Sequence, residues 1–228
     1  MTVTVLHPQG FRRMVDIPES RPSRHSGGRS SPAPRWIPLA LSAWLLLVGG
    51  GTVGLWTWSG TAEAEAVTVE AWPEGSALEH AKDRPTIVMF AHPKCPCTLA
   101  SYEELSRALT VVERIPLVHL VLVEPEGAAA DFQDSTLASR ARRDGFCLVQ
   151  RDRGGALAKQ FGARVSGHVL LFSAAGEALF SGGITAARGH EGSNLGVQRL
   201  CAGLRGVAPE ATRFPVLGCG LFDEEPGR

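Results

Sequence analysis

The clearest chemical signal in the chain is a pair of cysteines one residue apart, in His92-Pro-Lys-Cys-Pro-Cys97. A thiolate attacks disulfides and binds soft metals. It forms most readily where a helix begins, because the first backbone N–H groups have no partners there and the helix dipole favours negative charge. Pro96 fixes φ between the two sulfurs and removes one donor, which stiffens the turn. A Cys-X-Cys disulfide closes a tight ring, which points to an oxidising couple. Cys219 is a third candidate thiol. It lies in the apolar tail Phe214-Pro-Val-Leu-Gly-Cys-Gly-Leu-Phe222, which can fold back as a resolving thiol or a metal ligand, or simply pack on the domain. Cys147 and Cys201 fall in a predicted strand and helix and read as core thiols. Three histidines stand near the chemistry. His92 is within one turn of Cys95 and, when protonated, would favour the thiolate. His168 precedes the predicted strand Val169–Phe172. His190 sits in the glycine-rich loop 182–192, which lacks the Gly-Lys-Ser/Thr of a phosphate-binding loop. His119, inside an apolar run, reads as structural. The expected catalytic set is Cys95 as the attacking thiol, Cys97 as the resolving thiol and Cys219 as a third, with Pro96 and His190 beside the substrate.

For these residues to act, a strand must deliver the chain to the motif and a helix must leave it. Pro85–Phe90 is a short β-branched apolar run and predicts a buried strand. Thr98 opens a helix that runs to about Leu109, with Leu99, Tyr102, Leu105 and Leu109 at helical spacing and Ser101 with Glu104 as a second capping pair. Pro116–Val123 predicts a central strand. Phe132–Asp144 predicts a helix capped by Gly145. Cys147–Gln150 follows as a strand and Gly155–Phe161 as a short helix stopped by Gly162. Val169–Phe172 and Ala178–Ser181 form a hairpin around Ala175-Gly176, and Asn194–Leu204 closes the domain as a helix. This order predicts an α/β domain with helices on both faces of a sheet.

The chain of 228 residues carries 23 basic and 23 acidic side chains, a balance unlike that of a nucleic-acid binder. Five cysteines are too few for a disulfide scaffold. Residues 1–35 are rich in Pro, Ser, Gly and Arg and predict a disordered cytoplasmic tail. The uncharged run 36–58 is long enough for a transmembrane helix, with Trp36, Trp56 and Trp58 at its ends. Six arginines precede it (Arg12, Arg13, Arg21, Arg24, Arg29 and Arg35), and Glu63, Glu65 and Glu70 follow. The positive-inside rule then exports everything beyond residue 60. Gly60, Ala62 and Ala64 leave a cleaved signal peptide open as the other reading. Under either reading the C-terminal domain meets a compartment where disulfides persist, such as a periplasm bounded by the inner membrane. Residues 59–75 read as a linker, 76–206 as the domain and 207–228 as a tail.

The element order, with a reactive pair at the first strand-to-helix junction, resembles the thioredoxin fold over roughly residues 72–205. Gly154–Ala163 followed by Gly167–Phe172 is similar to the thioredoxin helix and the strand after it. Together, His92-Pro-Lys-Cys-Pro-Cys97, Ser166-Gly-His-Val169, Ser181-Gly-Gly-Ile-Thr185, Arg188-Gly-His-Glu191 and Gly218-Cys219 resemble a membrane-anchored thioredoxin-like group sometimes labelled RedB, related to TlpA-like proteins. The resemblance implies a thiol–disulfide oxidoreductase acting on exported protein thiols, with no cofactor. Two departures from thioredoxin stand out. The cysteines are separated by one residue instead of two: counted from Phe90, Cys95 falls on the nucleophile position, and counted from Thr98, Cys97 falls on the second cysteine position. Gly167 or His168 also takes the place, opposite the cysteines, of the cis-proline that, in thioredoxins, helps keep metal from the thiols, and the resemblance implies that both lie beside the substrate. That substitution implies an alternative, a Sco-like copper protein using Cys95, Cys97 and His168, with His92 or His190 as substitutes.

Overall fold

The computed structural model describes residues 34, 36–60, 69–128, 132, 135–207 and 213–222. The expected disordered tail lies outside the described residues except for Pro34, and so do residues 61–68 of the expected linker. Helix α1, Trp36–Gly60, is described by itself. Its stretch Trp36–Thr57 is long and apolar enough to cross a membrane. The hydroxyls of Ser42 and Thr52 donate to the carbonyls of Pro38 and Val48, 2.8 and 2.7 Å away, so the few polar side chains are satisfied within the helix.

The second unit is an α/β domain. In chain order it holds β1 (Thr86–Ala91), α2 (Pro96–Thr110), β2 (Leu117–Glu124), α3 (Thr136–Asp144), β3 (Leu148–Arg153), α4 (Ala156–Gln160), β4 (His168–Phe172), β5 (Ala178–Gly182) and α5 (Leu195–Leu204). The sheet order is β3-β2-β1-β4-β5. β1 runs parallel to β2 and antiparallel to β4, β2 is parallel to β3, and β4 and β5 form the antiparallel hairpin. β1 lies at the centre and every residue in it is buried, as its apolar sequence requires.

Alternation along the strands divides the core in two. Ile87, Met89 and Ala91 face one side of the sheet, where Tyr102 and Leu105 of α2, Ala138 and Ala141 of α3 and Leu200 of α5 pack. Val88 and Phe90 face the other side, against Ala158 of α4, Phe161 and Phe172. This mixed sheet with flanking helices is the thioredoxin-like architecture that the sequence predicts.

Most boundaries fall within two residues of expectation, and two differ by more. α3 starts at Thr136 rather than Phe132, because the Ser135 hydroxyl caps it by accepting the Ala138 N–H at 3.2 Å. β3 continues to Arg153, because parallel pairing with β2 carries on through Val123–Asp152 and Glu124–Arg153 despite the charged residues. Gly145 caps α3 in the left-handed region, as expected. His119 is structural: its ring donates to the Glu79 carbonyl at 2.8 Å and accepts from the Gln150 amide at 3.2 Å.

Candidate active site at the start of the second helix

Four segments meet where β1 hands over to α2. The first is the turn 92–95. The Cys95 N–H donates to the His92 carbonyl at 3.1 Å, and the Lys94 N–H to His92 Nδ1 at 3.3 Å. Cys95 is the N-cap of α2, and Pro96 opens the first turn, where its missing N–H costs nothing. The Cys95 sulfur therefore lies at the helix N-terminus, and Cys97 follows within the first turn. The second segment is 164–168. The Ser166 hydroxyl accepts the His92 N–H at 2.8 Å and shares a short hydrogen bond with the Thr98 hydroxyl. The Gly167 N–H donates to the Phe90 carbonyl at 2.8 Å. With φ at +93°, Gly167 lies so close to α2 that an added Cβ would meet the Ser101 hydroxyl at 2.8 Å.

The third segment is the tail 213–222, which crosses the domain and brings Cys219 Sγ to 3.1 Å from Cys95 Sγ. The sulfurs of Cys95, Cys97 and Cys219 all lie within 4.8 Å of one another. The fourth is the loop 183–192. A Cβ added at Gly189 would lie 3.8 Å from Cys97 Sγ, and the buried Arg188 guanidinium donates to the Gly218 carbonyl. Glu104 of α2 is buried and accepts the Gly192 N–H at 2.6 Å and an Arg107 N–H at 2.6 Å, tying this loop to the helix that carries the thiols.

The three thiols do not ionise alike. Burial opposes a Cys95 thiolate. The Thr98 hydroxyl, the Cys219 thiol and the backbone N–H groups of Cys219 and Thr98 outweigh burial, so Cys95 is held below the ordinary thiol value. Burial raises Cys97, and the neighbouring Cys95 charge raises it further, against a pull from Arg188. Burial and the Cys95 neighbour push Cys219 up to about 12. With Cys95 ionised, Cys219 keeps its proton and donates to it. A cleft of about 500 Å³ opens beside Cys95, lined by Pro93, Lys94, Pro96, Leu99 and Leu137 among others.

The structure thus gathers Cys95, Cys97 and Cys219, with Pro96 and Gly167 beside them. Two expectations need correction. His168 is 2 % exposed and its Nε2 bonds the Ser181 hydroxyl at 2.9 Å. It follows the alternation of Leu170 and Phe172, on the sheet face away from α2, so it does not join the sulfurs. Burial lowers its pKa to about 4. His190 is exposed and its Nδ1 donates to the Arg188 carbonyl at 2.8 Å, so its loop, rather than its ring, approaches Cys97. His92 packs edge-on to Phe132 with ring centroids 5.7 Å apart. It too stands outside the sulfur cluster.

Sequence reasoning missed Arg188, Thr98 and Ser166 as site residues. All three were visible within or beside quoted motifs, but only the long-range fold shows what they touch.

No family model and no curated protein matches the chain. Among solved structures, it is similar to an uncharacterised conserved protein from Geobacillus kaustophilus, at 17% identity over 74% of this chain and 95% of that one, with a TM-score of 0.52. It also aligns with a hypothetical protein from Sinorhizobium meliloti at 18% identity, over 71% and 93% of the two chains, with a TM-score of 0.45. A secreted Mycobacterium tuberculosis disulfide oxidoreductase aligns at 12% identity over 61% and 96%, with a TM-score of 0.39. At 17% identity the likeness to the Geobacillus protein bears on fold alone.

Proposed function

We propose that the chain is a thiol–disulfide oxidoreductase, anchored in the inner membrane through residues 36–58 and serving exported protein thiols in the manner of the RedB-like group. The observation that carries this reading is a Cys95 sulfur at a helix N-terminus, held below the ordinary thiol value, with two further sulfurs within 4.8 Å. The Cys95 thiolate attacks one sulfur of a substrate disulfide. A Cys95–substrate disulfide forms, and the other substrate sulfur leaves as a thiolate and takes a proton. Cys219, whose sulfur lies 3.1 Å from that of Cys95 in the reduced chain, then gives up its proton and attacks Cys95. This releases the second substrate thiol and leaves a Cys95–Cys219 disulfide. Two electrons have passed to the substrate, and a partner dithiol returns them; the same steps in reverse oxidise a dithiol substrate. Cys97 serves as the alternative resolving thiol. The test is reduction of insulin disulfides by the purified chain with a dithiol donor. Turnover above that of a Cys95→Ser variant supports the reading, and equal turnover removes it.

The same three sulfurs support a second reading, a Cu(I) site with Cys219 in the place expected for His168. Three thiolates about 2.3 Å from one metal in a trigonal plane stand about 4 Å apart, which fits a cluster within 4.8 Å. Thiolate donors suit Cu(I). Equilibrium dialysis against Cu(I) tests this, and failure to retain about one ion per chain rejects it.

A further inference from the structure

The tail does more than bring Cys219 close: it is bound as an added strand would be. The Ser166 N–H donates to the Cys219 carbonyl at 2.8 Å, and the Leu221 N–H donates to the Arg164 carbonyl at 2.8 Å. These two bonds flank an antiparallel bridge between Val165 and Gly220. Arg188 holds the Gly218 carbonyl from the other side. Val216 and Leu221 are buried in the seat, three residues before and two after the cysteine. Between them, Gly218 passes so close to the Ser166 carbonyl that a Cβ there would collide with it. A cysteine is thus presented to Cys95 by an extended segment whose register is set by backbone bonds and whose side chains are selected by pockets. Polypeptide ligands that join a sheet edge are recognised in the same way.

We infer that residues 213–222 occupy the seat of the polypeptide substrate, and that tail and substrate alternate there. This rests on the oxidoreductase reading and names its substrate class: an extended protein segment with an apolar residue three places before the cysteine, glycine immediately before it and an apolar residue two places after it. When the Cys95–Cys219 disulfide meets such a segment as a thiolate, the substrate sulfur bonds Cys95 and the Cys219 sulfur leaves as a thiolate. The tail is the leaving group. The backbone donor of Ser166 and acceptor of Arg164, left without partners as the tail lifts, take the incoming chain in the same register. A second substrate thiol then attacks the mixed disulfide. It releases an oxidised substrate and reduced Cys95, and the tail returns.

The test uses the reduced full-length protein in detergent micelles. Three disulfides carrying the same chromogenic leaving thiol, nitrothiobenzoate, are compared: the free aromatic disulfide, the peptide Pro-Val-Leu-Gly-Cys-Gly-Leu-Phe activated at its cysteine, and the same peptide with alanine before the cysteine. The glycine peptide is expected to modify Cys95 about tenfold faster than the alanine peptide, which is the worth of roughly one backbone hydrogen bond. In the Gly218→Ala protein the resident tail is lifted, and the glycine peptide is expected to gain more rate than the free disulfide does. Equal rates for the two peptides on the unaltered protein overturn the inference while leaving the oxidoreductase reading intact. A Cys95 that stays unmodified by all three disulfides overturns both. The peptide comparison needs no variant, so a folding defect in Gly218→Ala leaves it decisive.

Discussion

Two sets of cysteines sit in one domain and meet opposite fates. Cys147, at the entry to β3, is pushed up to about 11 by burial and by the Asp144 charge nearby. Cys201, on α5, is also raised by burial, with only partial relief from Arg205. Cys95 is buried as well, at 8 % exposure, yet its thiolate is favoured. Burial therefore does not separate reactive from inert thiols in this chain. The difference is the supply of donors: a helix start, the Thr98 hydroxyl, and a second thiol carried in by a distant segment. Cys147 and Cys201 pack against the core with no comparable set.

The comparison breaks most directly by substitution. Cys95→Ser should lower disulfide exchange by on the order of 10³-fold or more, while Cys147→Ser and Cys201→Ser leave it within about twofold, as read by insulin reduction. A large loss at Cys147 would erase the distinction. Alkylation sharpens it. Near neutral pH, iodoacetamide should label Cys95 at least about a hundredfold faster than Cys147, as mapped by peptide mass spectrometry, because two pH units separate an ordinary thiol from one near 11.

The histidines extend the contrast. His168 is expected to stay neutral in the folded protein down to about pH 4, whereas the unfolded chain takes up its proton near pH 6.5. Between these values the unfolded state binds more protons, so stability falls as the pH drops. The loss through this residue is on the order of 3 kcal/mol between pH 6.5 and 4. His119, also lowered by burial, acts in the same direction. Denaturant unfolding of His168→Gln should show a shallower acid dependence than the parent. The smallest effect is Thr98→Val, which removes one donor from Cys95 and should slow its alkylation roughly threefold to tenfold at neutral pH.

Much of the fold was legible because its signals are local. β1 and β2 read as buried strands from nearly continuous apolar runs, and Gly145 marks a helix end by its own conformational freedom. Cys95 at a helix start followed from the same strand-then-helix pattern. The partners of the thiols were harder to read. Cys219 is 124 residues from Cys95, and no periodicity links the two. His168 was placed near the sulfurs by chain position, but strand alternation turns its ring to the opposite face, where Ser181 holds it. Arg188 acts through a carbonyl of the tail, a contact that residue type alone does not announce.

The tail also does a job unrelated to sulfur. The sheet has two outer strands, and they are guarded differently. β3 carries the exposed Arg151 and Arg153 along its margin, charges that discourage a second sheet from pairing there. β5 has no such charges, and its Ser181 carbonyl is occupied by the Phe214 N–H at 3.0 Å, with Arg213 bridged alongside. Each time the tail lifts, that margin is bared. The lifetime of the lifted state therefore sets how long two neighbouring copies have to stick edge to edge.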